Sequence, residues 1–378
     1  MVDRDPTLTA SINPRLRKSP FFDCTVRAGL VAVTGYNHMW LPTSYGDADA
    51  EYRRLVEGVS MWDVSAQRHV QVAGDAADEL VQLVTAIDVD RAEPGRGIYA
   101  PMVDAAGRLI NDPILLRVDD GTWRFSIADA DVRLWIAGVA AGWSMAATVT
   151  ELDTATLAVQ GPRAEAVMAD LGLGWISDME DLERRSAQID GIEVLVSRSG
   201  WSKQGGVELF LDDVDHAEQL WRAVEAAGRP HGIGPGAPNQ SERIENVLLS
   251  YGTDTGFDAN PLELGLEDHL DLDGPDFIGR DALRRVRSDG PQRQLLGALV
   301  SGERINRFGH PTTVRIAGDD VGQLRAAAWS PKYSTNLGLA LVAAEVAVGS
   351  SARTSTPDGE RTLTLVELPF ADELPAPG

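Results

Sequence analysis

The feature that most limits the fold of this chain is a change of hydrophobic period between neighbouring segments. Ile114-Leu115-Leu116-Arg117-Val118 and Thr122-Trp123-Arg124-Phe125-Ser126-Ile127 flank Asp119-Asp120-Gly121, and Trp123, Phe125 and Ile127 alternate onto one face. Two runs of period two around an Asp-Gly turn predict a β-hairpin. In contrast, Ala217, Leu220, Trp221 and Val224 fall at i, i+3, i+4 and i+7, which predicts an amphipathic helix with Gly228 as its stop. Thr156-Leu157-Ala158-Val159 reads as a strand, and Gln160-Gly161-Pro162 turns into a helix with Pro162 near its first position. Hairpins interleaved with single helices predict an α+β fold rather than a doubly wound sheet.

Two breaks in composition are candidate boundaries. Gly228 to Pro238 is too rich in Gly and Pro for a helix or strand, and reads as a linker or as a loop inside a domain. Ser288-Asp289-Gly290-Pro291 ends a charged helical segment ahead of the strand-like Leu295–Val300, so a C-terminal domain is expected to start there.

Charge restricts partners more than fold. The 378 residues carry 34 Lys+Arg against 57 Asp+Glu, a formal charge of −23, and only Lys18, Lys203 and Lys332 are lysines. Such a field repels phosphate backbones, so no nucleic-acid partner is expected. The preference for arginine fits either a GC-rich genome or adaptation to salt. Cys24 is the only cysteine, which excludes an internal disulfide, a thiolate zinc cage and an iron–sulfur cluster. The six histidines show no HxH or HExxH spacing, and no metal site is expected. Met1–Pro6 lacks a leader pattern, and the apolar Leu337–Gly349 stretch is interrupted by Glu345 and too short to span a bilayer. These features predict a soluble, cytoplasmic chain with no membrane partner.

Phosphate-cradling and serine-nucleophile motifs are absent: there is no GxxxxGK[ST], no GxSxG, and no GxGxxG that opens a helix. Three segments are polar or glycine-rich beyond what a plain core needs. Tyr99 through Asn111-Asp112-Pro113 places an amide beside a carboxylate where a turn meets a strand, which serves either turn chemistry or hydrogen bonding to a heterocycle. In Arg198–Phe210, glycines let a backbone approach a ligand closely, and Glu208 can accept paired hydrogen bonds from a ring N–H and an amine, or stand exposed on a strand. In Ser241–Glu245, Arg243 can pair with a carboxylate or be a solvated helix charge.

Their order along the chain is distinctive. Trp62-Asp63-Val64-Ser65, Leu80–Thr85, Tyr99–Asp112, Val159-Gln160-Gly161-Pro162, Gly200–Glu208 and Pro275–Gly279 together resemble the folate-dependent aminomethyltransferase family, that of the glycine-cleavage T protein. Gly309-His310-Pro311, Trp329-Ser330-Pro331 and Leu368-Pro369-Phe370 resemble its C-terminal barrel, and the resemblance covers about Val31 to Phe370. It implies a three-domain α+β cloverleaf around a central folate channel. The domains would be a 1–30 extension, a folate-binding region of two subdomains over 31–285, and a barrel over 292–372. Tyr36–Pro42, Asn111-Asp112-Pro113 and Arg198–Gly206 look most like the branch that demethylates dimethylsulfoniopropionate. Where this chain has Asn111-Asp112, the T protein typically has Asp-Asp, whose first member is tied to release of the aminomethyl group.

Carried onto this sequence, the resemblance places Glu208 on the pterin and Arg243 near the benzoyl-glutamate end. Tyr99 and Asn111 line the channel, with Asn111 and Asp112 at the chemistry. Trp201, also expected at the folate, joins Trp40 and Phe210 as a possible aromatic wall around a cationic substrate head. A tyrosine that the family carries shortly after Pro369-Phe370 is missing. The implied reaction moves a methyl group from a small onium zwitterion, dimethylsulfoniopropionate first, to N5 of tetrahydrofolate. Demethylation of a betaine or dimethylglycine, glycine-cleavage aminomethyl transfer, and a non-enzymatic folate-binding accessory role are the alternatives. Arg243 is expected to bring positive charge to the channel against the acidic surface.

Overall fold

The computed structural model describes residues 13–306, 308–356 and 359–374; Met1–Pro6, read above as lacking a leader, lie outside them. The described chain forms two compact units. One runs to Ala100 and resumes over Asn111–Asn239, and the other holds Pro101–Ile110 and the chain from Gln240 onward.

The first unit contains two antiparallel-rich sheets. In the six-stranded sheet the order is Arg184–Ile189, Ile192–Ser197, Gly206–Leu211, Ala155–Gln160, Ser60–Asp63 and Gly234–Gly236. One face carries Val194, Val196, Val207, Leu209, Leu157 and Val159, which pack with Val167, Met168, Leu220, Trp221 and Val224 in a continuous apolar core. The last three lie on the expected helix, which spans Ala217–Gly228. Gly228 is its final residue and not its stop; a 3₁₀ turn follows over Arg229–His231, and Gly232, at φ 76°, is the left-handed cap. The next segment also departs from expectation, because Gly234–Gly236 forms an edge strand parallel to Ser60–Asp63. Proline is tolerated there because an edge strand need not donate on its outer side. After Pro162 the helix begins at Ala164, with Pro162 ahead of the helical residues.

The five-stranded sheet runs Thr148–Leu152, His69–Ala73, Thr122–Ser126, Ile114–Asp119, Gly97–Tyr99. The Asp-Gly hairpin forms as the alternation predicts, with Gly121 at φ 74° in its turn. Tyr36-Asn37-His38 also proves to be a turn. Asn37 and His38 both have positive φ (48° and 59°) between the Ala32–Tyr36 and Met39–Ser44 strands, as a two-residue hairpin requires. Asn37 accepts from Ala130 N and donates to the carbonyls of Ala66 and Ala128, fixing the hairpin to the unit.

The second unit contains a closed six-stranded barrel, ordered Arg293–Val300, Thr335–Ala343, Asp319–Ser330, Thr312–Ile316, Ser351–Thr356, Gly359–Val366. Leu296, Ala298, Val300, Leu324, Val342 and Leu363 alternate into its core. The Leu337–Gly349 run is largely one of these strands, and among the described residues no helix is long and apolar enough to cross a membrane.

Candidate active site

The opposite face of the six-stranded sheet is polar yet buried. Glu208 and Phe210 alternate with Val207, Leu209 and Leu211 along one strand, and all six residues of that strand are buried. Across the pairing, Ala158 and Ser197 stand beside Glu208, Thr156 beside Phe210, and Arg184 beside Ser197. Antiparallel partners share a face, so these side chains form one surface. The five-stranded sheet presents a matching row, in which Tyr99, Ile114, Ser126 and His69 are successive cross-strand partners. The two faces meet where the His69 ring lies edge-on to Phe210 with centroids 4.9 Å apart.

Many polar atoms on these faces are buried without a partner. Among the described residues they include both ring nitrogens of His69, the hydroxyls of Ser126, Thr156 and Ser197, Nε of Arg184 and Arg124, and Asn111 Nδ2. A buried polar atom left unsatisfied costs about 1–3 kcal/mol, so their concentration here fits a site for a ligand rich in donors and acceptors. A bicyclic heterocycle with ring N–H, carbonyl and amine groups matches that inventory.

Glu208 lies on this surface with 6% relative exposure, and Ser199 Oγ donates to its Oε2 at 2.6 Å. Burial pushes its carboxyl above the usual range, opposed by the Ser199 hydrogen bond and by Arg184. Arg184 stacks over Phe210, 4.9 Å from the ring centroid, and burial draws its guanidinium down to about 10. His69 is 1% exposed and held well below an ordinary imidazole, first by burial and then by Arg184 and Arg124. It is therefore neutral, with one nitrogen donating and one accepting.

Beside this face, Tyr99 Oη donates to Asp112 Oδ2 at 2.8 Å, and Asn111 Oδ1 accepts from Ala128 N at 3.0 Å. That bond orients the Asn111 carboxamide, whose Nδ2 is the group left to donate. Tyr36 and Tyr99 are both held protonated well above the ordinary phenol range, chiefly by burial and then by the Asp112 charge.

The remaining sequence candidates are placed less simply. Trp201 sits half-buried in the loop between the Ile192–Ser197 and Gly206–Leu211 strands. The glycines of that loop were expected to admit a ligand, but Gly200 and Gly206 instead admit Gln160. A Cβ on Gly200 would fall 2.1 Å from the Gln160 side chain. Gln160 donates to the Ser199 and Val207 carbonyls and accepts from Ser202 Oγ. Trp40 is buried on the Met39–Ser44 strand, its Nε1 lacking a partner. Phe210 is not an open aromatic wall, because its ring is already engaged by Arg184 and His69. Arg243 belongs to the second unit and its side chain has no exposed surface. Its Nη1 and Nη2 donate to Asp254 at 2.6 and 3.1 Å, which neutralises the charge expected at a channel mouth. Buried positive charge without an ion-pair partner lies instead at Arg184, which the sequence did not single out.

Comparison with known proteins agrees with this geometry. The GCVT N-terminal domain model matches residues 21–274, and the glycine-cleavage T-protein C-terminal barrel domain matches residues 293–372. This chain belongs to the glycine-cleavage T-protein family. Its members are folate-dependent one-carbon transferases, so the protein is an enzyme of that kind. It is 35% identical to the dimethylsulfoniopropionate demethylase DmdA of Ruegeria pomeroyi over 361 residues, covering 95% of this chain and 99% of that protein. It is 30% identical to the aminomethyltransferase of Moorella thermoacetica, covering 94% and 98%. The crystal structure of the glycine cleavage system aminomethyltransferase T from Bartonella henselae superposes with a TM-score of 0.84 at 20% identity, covering 94% of this chain and 98% of that one. That likeness establishes the α+β fold with its C-terminal barrel.

Proposed function

We propose that the enzyme is a tetrahydrofolate-dependent demethylase, which takes a methyl group from a small onium zwitterion, dimethylsulfoniopropionate first among them. The observation that carries this reading is the fixed Asn111 carboxamide. Its oxygen is committed to Ala128 N, so it presents a donor and has no proton to give or take. Release of an aminomethyl group from a carrier calls for a carboxylate at such a position. A methyl on cationic sulfur or nitrogen already has a good leaving group, so its displacement needs alignment and a dry site more than an acid. The likeness to DmdA along nearly the whole chain supports the same donor class.

The N5 amine of tetrahydrofolate supplies the nucleophile. Glu208, with Ser199 behind it, holds the pterin edge, and Asn111 donates to the ring system. Asp112, paired with Tyr99, is the carboxylate placed to accept the proton that N5 releases. The buried faces exclude water from the reacting methyl. Demethylation of a betaine or dimethylglycine uses the same chemistry and is the second reading.

Purified protein incubated with tetrahydrofolate and each donor is expected to form 5-methyltetrahydrofolate and the demethylated product. No 5-methyltetrahydrofolate with any donor would refute the proposal, and 5,10-methylenetetrahydrofolate formed with a lipoylated carrier would favour the glycine-cleavage reaction. Asn111→Asp, which puts a second carboxylate beside Asp112, is expected to slow methyl transfer at least tenfold.

A further inference from the structure

A chain of net charge −23 buries two guanidiniums and a neutral imidazole in one place, and the roles proposed above for Glu208, Asn111 and Asp112 engage none of them. Among the described residues, Arg184 has no hydrogen-bond acceptor for its Nε and no carboxylate within ion-pair distance, although only 7% of it is exposed. It stacks over the Phe210 ring. Arg124 faces it from the other sheet, two residues from Ser126 on the same strand. Its Nε is likewise unpartnered, and it reaches only the exposed Asp212, at 3.5 Å. His69 is the cross-strand partner of Ser126 and touches Phe210, and both guanidiniums act on its ring. A buried guanidinium without an ion-paired carboxylate, as Arg184 is, is costly to the fold; a site kept in that condition is prepared for an anion.

We propose that Arg184, with Arg124 and His69, forms a buried carboxylate-binding subsite between the two sheets. The guanidinium fork matches a carboxylate in two parallel hydrogen bonds, and the neutral imidazole adds a third donor. Charge favours a monoanion. Arg124 already has the exposed Asp212 at 3.5 Å, so Arg184 is the guanidinium without an ion pair, and Glu208 on the same surface would repel a phosphate dianion more strongly than a monoanion. The carboxylate comes either from the methyl donor, in which case the subsite selects zwitterions over bare onium ions, or from the folate glutamate. The subsite rests on the demethylase reading only for the first of these sources.

Calorimetric titration of wild type, Arg184→Met, Arg184→Lys and the half-buried control Arg185→Met, whose guanidinium is paired with Glu183, tests the assignment. The probes are dimethylsulfoniopropionate, trimethylsulfonium, tetrahydrofolate and a tetrahydropterin that lacks the benzoyl-glutamate tail. Wild type is expected to bind the zwitterion at least tenfold more tightly than trimethylsulfonium. Arg184→Met should abolish that preference, Arg184→Lys restore part of it, and Arg185→Met behave as wild type. A loss confined to tetrahydrofolate, with the tail-free pterin unaffected, would assign the carboxylate to the folate and leave the subsite standing. Should Arg184→Met fail to fold, Arg124→Met reads the same preference. A folded Arg184→Met that binds every probe as wild type does would overturn the subsite. Failure of the demethylase reading looks different: wild type would form no 5-methyltetrahydrofolate, whatever the variants bind.

Discussion

The two faces of the six-stranded sheet are both buried and do opposite things. Val207, Leu209 and Leu211 point into an apolar core closed by two helices, whereas Glu208 and Phe210, on the same strand, point onto a surface of unpartnered polar atoms. Hydrophobic burial at ~25 cal/mol per Å² stabilises the first face. The second face costs stability, because many of the desolvated donors and acceptors there lack a partner until a ligand arrives. A strand buried on both sides ordinarily reads as a continuous apolar run, so a buried alternation of polar and apolar residues marks a face kept for binding.

The contrast can be broken by substitutions on either side. The largest effect on stability is expected from Leu209→Ala on the apolar face. Opening a cavity there should destabilise the fold by about 2–5 kcal/mol in denaturant melts and leave tetrahydrofolate affinity unchanged below the transition. On the polar face, Arg184→Met removes a buried charge whose folded-state pKa, about 10, is depressed mainly by burial. The wild-type fold bears that cost at every pH below 10, so the variant should melt at a higher temperature at neutral pH, by roughly 2–4 °C, even as it loses its ligand.

His69 gives a smaller effect, readable through pH. Its folded pKa lies well below 6.5 because of burial and then the two arginines. The unfolded chain takes up a proton below about pH 6.5 that the folded chain refuses. Wild-type stability should therefore fall as pH drops through that range, by at most ~1.4 kcal/mol per pH unit for one proton. In His69→Phe, this part of the slope should vanish. The smallest effect belongs to Thr156→Val, which replaces an unpartnered hydroxyl with a methyl. It should change stability by about 1 kcal/mol or less, in the stabilising direction, and a destabilisation above that would mean the hydroxyl has a structural partner.

Much of the fold was legible in the sequence, because local periodicity suffices for the Asp-Gly hairpin, the Ala217–Gly228 helix and the barrel strand after Pro291. Glu208 was singled out as a carboxylate opening an apolar strand. Whether it was buried could not be read there, since that depends on a facing sheet whose strands lie far away in sequence. The same dependence hid Arg184, Arg124 and His69, which as isolated letters look like solvated charges. Arg243 shows the reverse case. It stood out in the sequence, yet Asp254, later in the chain, encloses and neutralises it. Gly200 and Gly206 were expected to admit a ligand, whereas the group that approaches them is Gln160, from a motif noted separately.

Glu208 and Leu209 are adjacent in sequence and face opposite ways, so titrating tetrahydrofolate into the Glu208→Ala and Leu209→Ala variants tests most directly whether the polar face is the binding face. The account predicts that Glu208→Ala stays folded and loses affinity by about a hundredfold, as expected for a charge-assisted pair of hydrogen bonds, while Leu209→Ala binds as wild type. Wild-type affinity in Glu208→Ala, with the loss appearing in Leu209→Ala instead, would contradict it.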